Sequence, residues 1–189
     1  IAMGGAGLLA LAIDGNLSLL SVPQRFFDGI NSFPLMAVPF FILAADLMTA
    51  SGITTALLRF ASAMVGHVRG GMGHVNVVTS VMFAGISGSA LADAAGPGAV
   101  ETRMMAKSGY DKAYSAALSA ATATIGPIIP PSIVMVIYAL TDSRVTVAGL
   151  FLAGVVPGLL MGAALMGMNH YLSVKRGYGT VGIAPGWGD

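Results

Sequence analysis

Two apolar segments of this chain are interrupted near their middle, and these interruptions limit the fold more than any other feature. The first segment, 71–86, is apolar but short, and it breaks at Ser87-Gly88-Ser89. A second short limb then continues to about residue 106. A membrane-spanning helix needs about 20 residues, and neither limb comfortably reaches that length. The pattern therefore predicts a re-entrant helical hairpin over 71–107, whose limbs enter and leave the membrane on one side.

The second interrupted segment, 110–141, is long enough to cross a bilayer. Its middle contains Gly126-Pro127 and Pro130-Pro131. Proline removes a helical hydrogen bond and clashes with the preceding turn, so one continuous helix over this segment is excluded. The sequence predicts a discontinuous transmembrane helix built from two half-helices.

A membrane setting follows from the scarcity of charge. Hydrophobic residues make up 56% of the chain and charged residues 9%, and the mean hydropathy is +0.83. A soluble domain usually carries about 25% charged residues, which this chain lacks for a water-facing surface. We therefore expect an all-α membrane protein, a multi-span helical bundle containing both interrupted segments.

The rest of the chain predicts further helices. These are the end of an incomplete helix over 1–13, an interfacial helix over 17–31, a span over 33–48, an amphipathic helix over 53–68 and a final span over 147–172. On the amphipathic helix, Leu57, Phe60, Ala61 and Met64 share the expected apolar face, opposite Arg59. Residue 1 lies inside an apolar run, so we expect the natural start upstream. Residues 175–189 are predicted to be a polar loop or tail.

The basic residues agree with a re-entrant hairpin. If the hairpin returns to the side it came from, most of the cations lie on one side of the membrane: Arg59, Arg69, Arg103, Lys107, Lys112, Lys175 and Arg176. Arg25 and Arg144 then lie on the other side. The positive-inside rule makes the richer side cytoplasmic.

Each interruption leaves backbone groups without helical partners. Unpaired groups are costly in hydrocarbon, so broken helices occur where protein or water surrounds them. At the second break, Thr124 and Gly126 are predicted to end one half-helix, while Pro130, Pro131 and Ser132 start the next. Helix C-termini favour cations and N-termini favour anions. Structural kinks with tight Ser/Gly packing are the alternative, but two consecutive breaks favour an ion and anion site.

Polar residues near the breaks have competing interpretations. Asp93 follows the first break; it is either a functional carboxylate or an N-cap-type acceptor for the second limb. Asp46 has no evident partner, and an interfacial position is favoured over a functional one. A face of small polar residues is predicted to be a packing surface rather than a ligand wall: Ser115, Ser119 and Thr122.

Enzymatic chemistry is not indicated. Tyr110-Asp111 and the GWGD string ending at Asp189 match the order of aspartate motifs in intramembrane proteases, but Asp111 lies in a basic loop and Asp189 in a polar tail. No zinc-protease or phosphate-loop motif is present. His67 and His74 lack a partner ligand, so a metal site at these histidines is not expected. The net charge of +1 gives no reason to expect nucleic-acid binding.

Several motifs resemble those of a known family, the large membrane (M) subunit of tripartite ATP-independent periplasmic (TRAP) transporters. The principal matches are 83–95 (FAGISGSALADAA) and 121–132 (ATATIGPIIPPS). Others are 25–35 (RFFDGINSFPL), 66–71 (GHVRGG), 108–111 (SGYD) and 150–158 (LFLAGVVPG). The resemblance covers about residues 20–176. One region, 96–103 (GPGAVETR), departs from the commonest family pattern, which indicates a subfamily.

The resemblance implies an architecture and partners that composition does not show. The chain would form most of the first of two inverted repeats in an elevator-type transporter. Residues 1–69 would be scaffold-type helices and an amphipathic arm, and residues 70–174 would be half of the transport domain. The implied partners are a small (Q-type) membrane subunit, a periplasmic substrate-binding protein and an organic anion. The implied location is the bacterial inner membrane.

Carried onto this sequence, the resemblance also assigns site residues. Sodium, the coupling ion, would be framed by Ser87, Gly88, Ser89, Thr124, Gly126 and Pro127, with Asp93 as a further candidate; no other cofactor is implied. The substrate cavity would be bordered by Ser89, Pro130, Pro131 and Ser132. A sodium/dicarboxylate symporter that needs no binding protein is the alternative within transport.

Overall fold

The computed structural model describes residues 50–141 and 144–180, together with isolated positions before residue 50. The chain divides into two compact units, 1–37 and 38–189, and the description below concerns the second. The predicted helices over 1–13, 17–31 and 33–48, with Asp46, lie outside the described residues apart from those isolated positions. The tail beyond residue 180 lies entirely outside the described residues.

Within these ranges the second unit is helical and contains no strand. The helices are α1 (Ile53–Val65), α2 (Gly71–Ser87), α3 (Ala90–Ala95), α4 (Pro97–Lys107), α5 (Lys112–Ala123), α6 (Ile133–Thr141) and α7 (Val147–Arg176). Helix α2 is central, because α1, α3, α4, α5 and α7 all pack against it. The all-α prediction is confirmed for this part of the chain.

The predicted hairpin forms, but its second limb consists of two helices. Limb α2 ends at Ser87, and both α3 and α4 pack back against it. The expectation of one continuous second limb is wrong, because α3 stops at Ala95 and α4 begins at Pro97. Between them Gly96 adopts φ −86° and ψ −103°, outside the helical region, and Pro97 begins α4 where a missing N–H costs no helical hydrogen bond. Re-entry into a membrane stays a prediction.

The predicted break in the next segment is confirmed. Helix α5 ends at Ala123 and α6 begins at Ile133, with turns between them. The expectation that Pro130 and Pro131 lie in the first turn of α6 is wrong. Ser132 caps this helix: its Oγ accepts a hydrogen bond from the Met135 N–H at 3.3 Å. The serine hydroxyl accepts from a backbone N–H that has no partner within the helix, whereas proline has no side-chain acceptor for this N–H.

Helix α1 buries only part of the predicted apolar face. Ala61 of that face is buried, together with Thr54 and Leu58, whereas Phe60 and Met64 are more than half exposed. Apolar residues surround much of this helix, so its periodicity does not identify the packed face. In contrast, α5 buries Ser115, Ser119 and Thr122, as its predicted packing surface requires.

Helix α7 is the one helix among the described residues that is long and apolar enough to cross a membrane. It has 30 residues, and only 17% of its most apolar 18-residue window is buried within the protein. Two of its glycines face the second break: Gly154 lies against the Ile128 carbonyl oxygen and Gly158 against the Ile129 side chain. The broken segment therefore packs directly on α7.

The C-terminal half of α7 is tied to the base of the hairpin by Asn169. Its amide donates to the Gly70 carbonyl at 3.1 Å and accepts from the Tyr114 hydroxyl at 2.9 Å. Tyr178, just beyond α7, stacks on Tyr110 with ring centroids 4.2 Å apart. The first residues of the predicted tail therefore pack on the hairpin base.

Candidate functional site

The two helix breaks, about 40 residues apart in sequence, lie in contact. The Ile133 N–H at the start of α6 donates to the Gly88 carbonyl oxygen at 3.4 Å. An ideal Cβ added at Gly126 would lie 3.1 Å from the Ser89 carbonyl carbon and 3.2 Å from the Ala90 nitrogen. Each break therefore packs against the other with backbone atoms at the closest approach.

The hairpin tip turns at Gly88, which adopts φ +60°, a left-handed conformation that favours glycine. Its N–H donates to the Ala84 carbonyl at 3.2 Å and closes the end of α2. Ser89 is extended, and its Oγ accepts from the Ala92 N–H at 3.4 Å. The Ser89 N–H in turn lies 3.4 Å from the Ser87 Oγ. Both serines of the tip therefore serve the turn itself.

The second break is closed by its own side chains. The Ser132 hydroxyl donates to the Pro127 carbonyl at 2.6 Å and thereby bridges the irregular stretch between α5 and α6. The exposed Thr124 hydroxyl donates to the Ala121 carbonyl of its own helix at 2.6 Å. The side chain of Thr124 therefore points back along α5 rather than to the hairpin tip.

Opposite helix ends meet where the breaks touch. The C-termini of α2 and α5 bring carbonyl groups to this region, and α6 brings an N-terminus. C-terminal carbonyls carry partial negative charge and attract cations, whereas N-terminal N–H groups attract anions. The carbonyl ends here therefore favour a cation, and the start of α6 favours an anion.

Most of the predicted site residues come together here. The residues at or beside the contact between the breaks are Ser87, Gly88, Ser89, Gly126, Pro127, Pro130, Pro131 and Ser132. Ser87, Gly88, Gly126 and Ser132 are buried, and the other four are partly exposed.

Asp93 lies away from the contact between the breaks. Ser89 caps α3, so the interpretation of Asp93 as the cap is wrong. The Asp93 side chain is fully buried, and neither of its oxygens has a hydrogen-bond partner. It lies towards Ser80 of α2 and close to Glu101 of α4, between the limbs of the hairpin.

A buried polar network around Asn76 was not anticipated from the sequence. The Asn76 amide donates to Glu101 Oε2 at 2.6 Å and to Ser119 Oγ at 2.8 Å, and its oxygen accepts from the Thr122 hydroxyl at 2.8 Å. These bonds join α2 to α4 and α5. The sequence signal for this network is Asn76 itself, an amide inside the otherwise apolar segment 71–86. Polar groups at membrane depth require partners, so an amide there indicates a buried polar contact.

The remaining candidates have structural positions. Asp111 is exposed and caps α5, and its carboxylate accepts from the Tyr114 N–H at 2.9 Å. An intramembrane protease would need its aspartate inside a helix, and Asp111 lies before the first residue of α5. His74 is buried beside His170, with ring centroids 6.0 Å apart. Three or more His, Cys, Asp or Glu side chains grouped for a metal ion are not found among the described residues.

Comparison with known proteins identifies what this chain resembles. The family model described as "Tripartite ATP-independent periplasmic transporter, DctM component" matches residues 1–183. The sialic acid TRAP transporter large permease protein SiaM of Vibrio cholerae is 43% identical over 174 residues, covering 92% of this chain and 40% of that protein.

Two further relatives carry similar names. The sialic acid TRAP transporter permease protein SiaT of Haemophilus influenzae is 49% identical over 155 residues, covering 82% of this chain and 25% of that protein. The C4-dicarboxylate TRAP transporter large permease protein DctM of Pseudomonas aeruginosa is 40% identical over 164 residues, covering 87% of this chain and 38% of that protein. The chain therefore spans between a quarter and two fifths of the length of these relatives.

Proposed function

Because the chain belongs to the DctM component family of tripartite ATP-independent periplasmic transporters, we propose that the full-length protein carrying this segment is the large permease subunit of a sodium-coupled importer of small organic acids. The observation that carries the proposal is the contact between the two helix breaks. The relatives are named as permeases, which agrees with a protein that moves its substrate without chemical change.

Sodium is proposed to bind where the carbonyl ends of α2 and α5 meet. Ser87, Gly88 and Ser89 contribute the hairpin tip, while Gly126 and Pro127 contribute the second break, with Thr124 acting through its backbone. A hard cation of this kind prefers oxygen ligands, and carbonyl and hydroxyl oxygens are concentrated here. No other cofactor is proposed.

The organic anion is proposed to bind on the α6 side of the contact. Ser132 caps α6, and Pro130 and Pro131 precede it, so the substrate cavity is bordered by these residues and Ser89. The helix N-terminus favours a carboxylate. The relatives' names, which refer to sialic acid and C4-dicarboxylates, support an acid as substrate.

The proposed assembly follows the family. A small membrane subunit and a periplasmic binding protein are the proposed partners, and the bacterial inner membrane is the proposed location. The hairpin, the broken helix and α7 are proposed to move together as half of an elevator-type transport domain. Residues 1–69 are proposed to belong to the scaffold and its arm, and the hairpin is proposed to be re-entrant.

The proposal is tested with the full-length protein and its partner subunits in proteoliposomes. Uptake of a panel of labelled organic acids is followed with and without an inward sodium gradient. Wild type is compared with Ser89→Ala and Gly126→Ala, which alter the two sides of the contact. Gly85→Ala is the matched control, because an added Cβ there would come no closer than 3.9 Å to its nearest neighbour, the Pro130 oxygen, which is an ordinary contact distance.

Sodium-dependent uptake that falls in Ser89→Ala and Gly126→Ala, and not in Gly85→Ala, supports the proposal. Uptake of a panel acid that is indifferent to sodium contradicts the coupling. Uptake that proceeds equally well without the binding protein favours a symporter of the dicarboxylate type over the three-part assembly.

A further inference from the structure

Five buried oxygen atoms between the hairpin limbs have no hydrogen-bond partner. They are both carboxylate oxygens of Asp93, Oε1 of Glu101 and the hydroxyl oxygens of Thr79 and Ser80. All four side chains are at most 1% exposed. Buried polar atoms in proteins are almost always paired, so five unpaired oxygens in one place require an explanation.

The neighbouring Asn76 network does not supply the missing partners. Both amide hydrogens of Asn76 are used, one on Glu101 Oε2 and one on Ser119, and its oxygen is occupied by Thr122. An amide offers only two donors, so Asn76 has none for Glu101 Oε1. The network instead holds the Glu101 carboxylate in a fixed orientation.

The unpaired oxygens are mutually close. The Thr79 hydroxyl approaches the Glu101 carboxyl group and the Ser80 hydroxyl approaches that of Asp93, but neither approach has the distance and angle of a hydrogen bond. The two carboxyl groups are near enough to repel each other. Among the described residues no lysine or arginine is paired with either acid. Two buried carboxylates without a counter-charge are unfavourable, so the pair must either take up a proton or hold a bound cation between them.

We propose that Asp93, Glu101, Thr79 and Ser80 form an interior site for one hard, oxygen-preferring cation, separate from the contact between the helix breaks. The donor set is entirely oxygen, which suits alkali and alkaline-earth ions rather than softer metals. The ligands come from α2, α3 and α4, so a bound cation joins both limbs of the hairpin. Asn76 orients the site through Glu101 without providing a ligand.

Cation binding to the purified full-length protein tests this site without requiring transport. Na⁺, K⁺, Mg²⁺ and Ca²⁺ are titrated separately at constant ionic strength, and the bound ions are counted by equilibrium dialysis. Wild type is compared with Glu101→Gln, with Thr79→Val, which removes an unpaired hydroxyl without changing charge, and with Ser89→Ala at the hairpin tip. Asp111→Asn, an exposed acid that remains a helix cap, is the charge control.

Wild type is expected to bind one cation that Glu101→Gln does not bind at the same concentration. Loss of an outer-shell partner already weakens metal binding about 10- to 100-fold, so loss of a ligating carboxylate is expected to weaken this site at least as much. Thr79→Val should weaken the same site and Asp111→Asn should leave it unchanged, while Ser89→Ala should lower the sodium binding proposed at the contact between the helix breaks.

Two results overturn the proposal. One is equal cation binding by wild type, Glu101→Gln and Thr79→Val. The other is an infrared band of a protonated carboxyl group that is lost in Glu101→Gln but persists in wild type at saturating cation, which would show that a proton neutralises the pair. Because Ser89→Ala reports separately on the tip, neither result bears on the proposed transport site.

Discussion

Replacement of Gly88 by alanine tests the contact between the helix breaks through stability. Gly88 adopts φ +60°, and an added Cβ would collide with the Pro131 carbonyl oxygen. The left-handed conformation costs a residue with a Cβ about 1–2 kcal/mol, and overpacking against backbone costs about 1–3 kcal/mol. Gly88→Ala is therefore expected to lower the free energy of unfolding by about 2–5 kcal/mol.

Gly85→Ala, three residues earlier, is the matched control. Gly85 lies within α2, and the nearest atom to an added Cβ is 3.9 Å away, so the substitution meets no obstacle. Alanine in place of glycine inside a helix is expected to raise stability by about 0.5–1 kcal/mol. The two variants therefore differ in sign although both add one methyl group to the same hairpin.

Equilibrium unfolding of the purified full-length protein in detergent, followed by circular dichroism, measures this difference. The expected order of stability is Gly85→Ala, then wild type, then Gly88→Ala, with sodium-dependent uptake also reduced in Gly88→Ala. If Gly88→Ala unfolds at the same denaturant concentration as Gly85→Ala, the breaks do not pack as described and the reasoning is refuted.

Three further substitutions test the surrounding structure by the same unfolding measurement. Asn76→Ala removes the amide that donates to Glu101 Oε2 at 2.6 Å and should cost about 1–3 kcal/mol, because a buried acceptor is left unpaired; an unchanged unfolding midpoint would contradict the network. Tyr114→Phe removes the 2.9 Å bond to Asn169 and should cost only about 0.5–1.5 kcal/mol, and a larger loss would show a wider role for the hydroxyl. Asp111→Ala should cost about 1 kcal/mol through loss of the cap on α5, whereas Asp111→Asn should be nearly neutral; equal losses would point to charge rather than capping.

The positions of the helix breaks were predictable because their causes are local. Left-handed glycine at the hairpin tip and proline in the second break each act on the backbone within a few residues. The further break at Gly96-Pro97 has an equally local cause, because proline cannot donate a helical hydrogen bond, although one continuous limb is predicted there. The start of α6 was misplaced because proline suits a first turn, whereas the capping hydroxyl of Ser132 sets the boundary.

The contacts between distant residues were not predictable. Gly88 and Ile133 are 45 residues apart in sequence and Asn76 and Glu101 are 25 apart, and the local pattern around each residue does not name its partner. The same reason explains Asp93, whose position after the break suggested a cap or a tip ligand. Its burial towards Ser80 depends on how α3 folds back on α2.

The dependence of uptake on sodium concentration tests the central claim most directly. Initial rates in proteoliposomes are measured over a range of sodium concentrations for wild type and Ser87→Ala, with the exposed Ser108→Ala as control. A cation site at the contact between the breaks predicts a higher half-saturating sodium concentration for Ser87→Ala, with Ser108→Ala equal to wild type. Identical sodium dependence in all three proteins would contradict the proposed site.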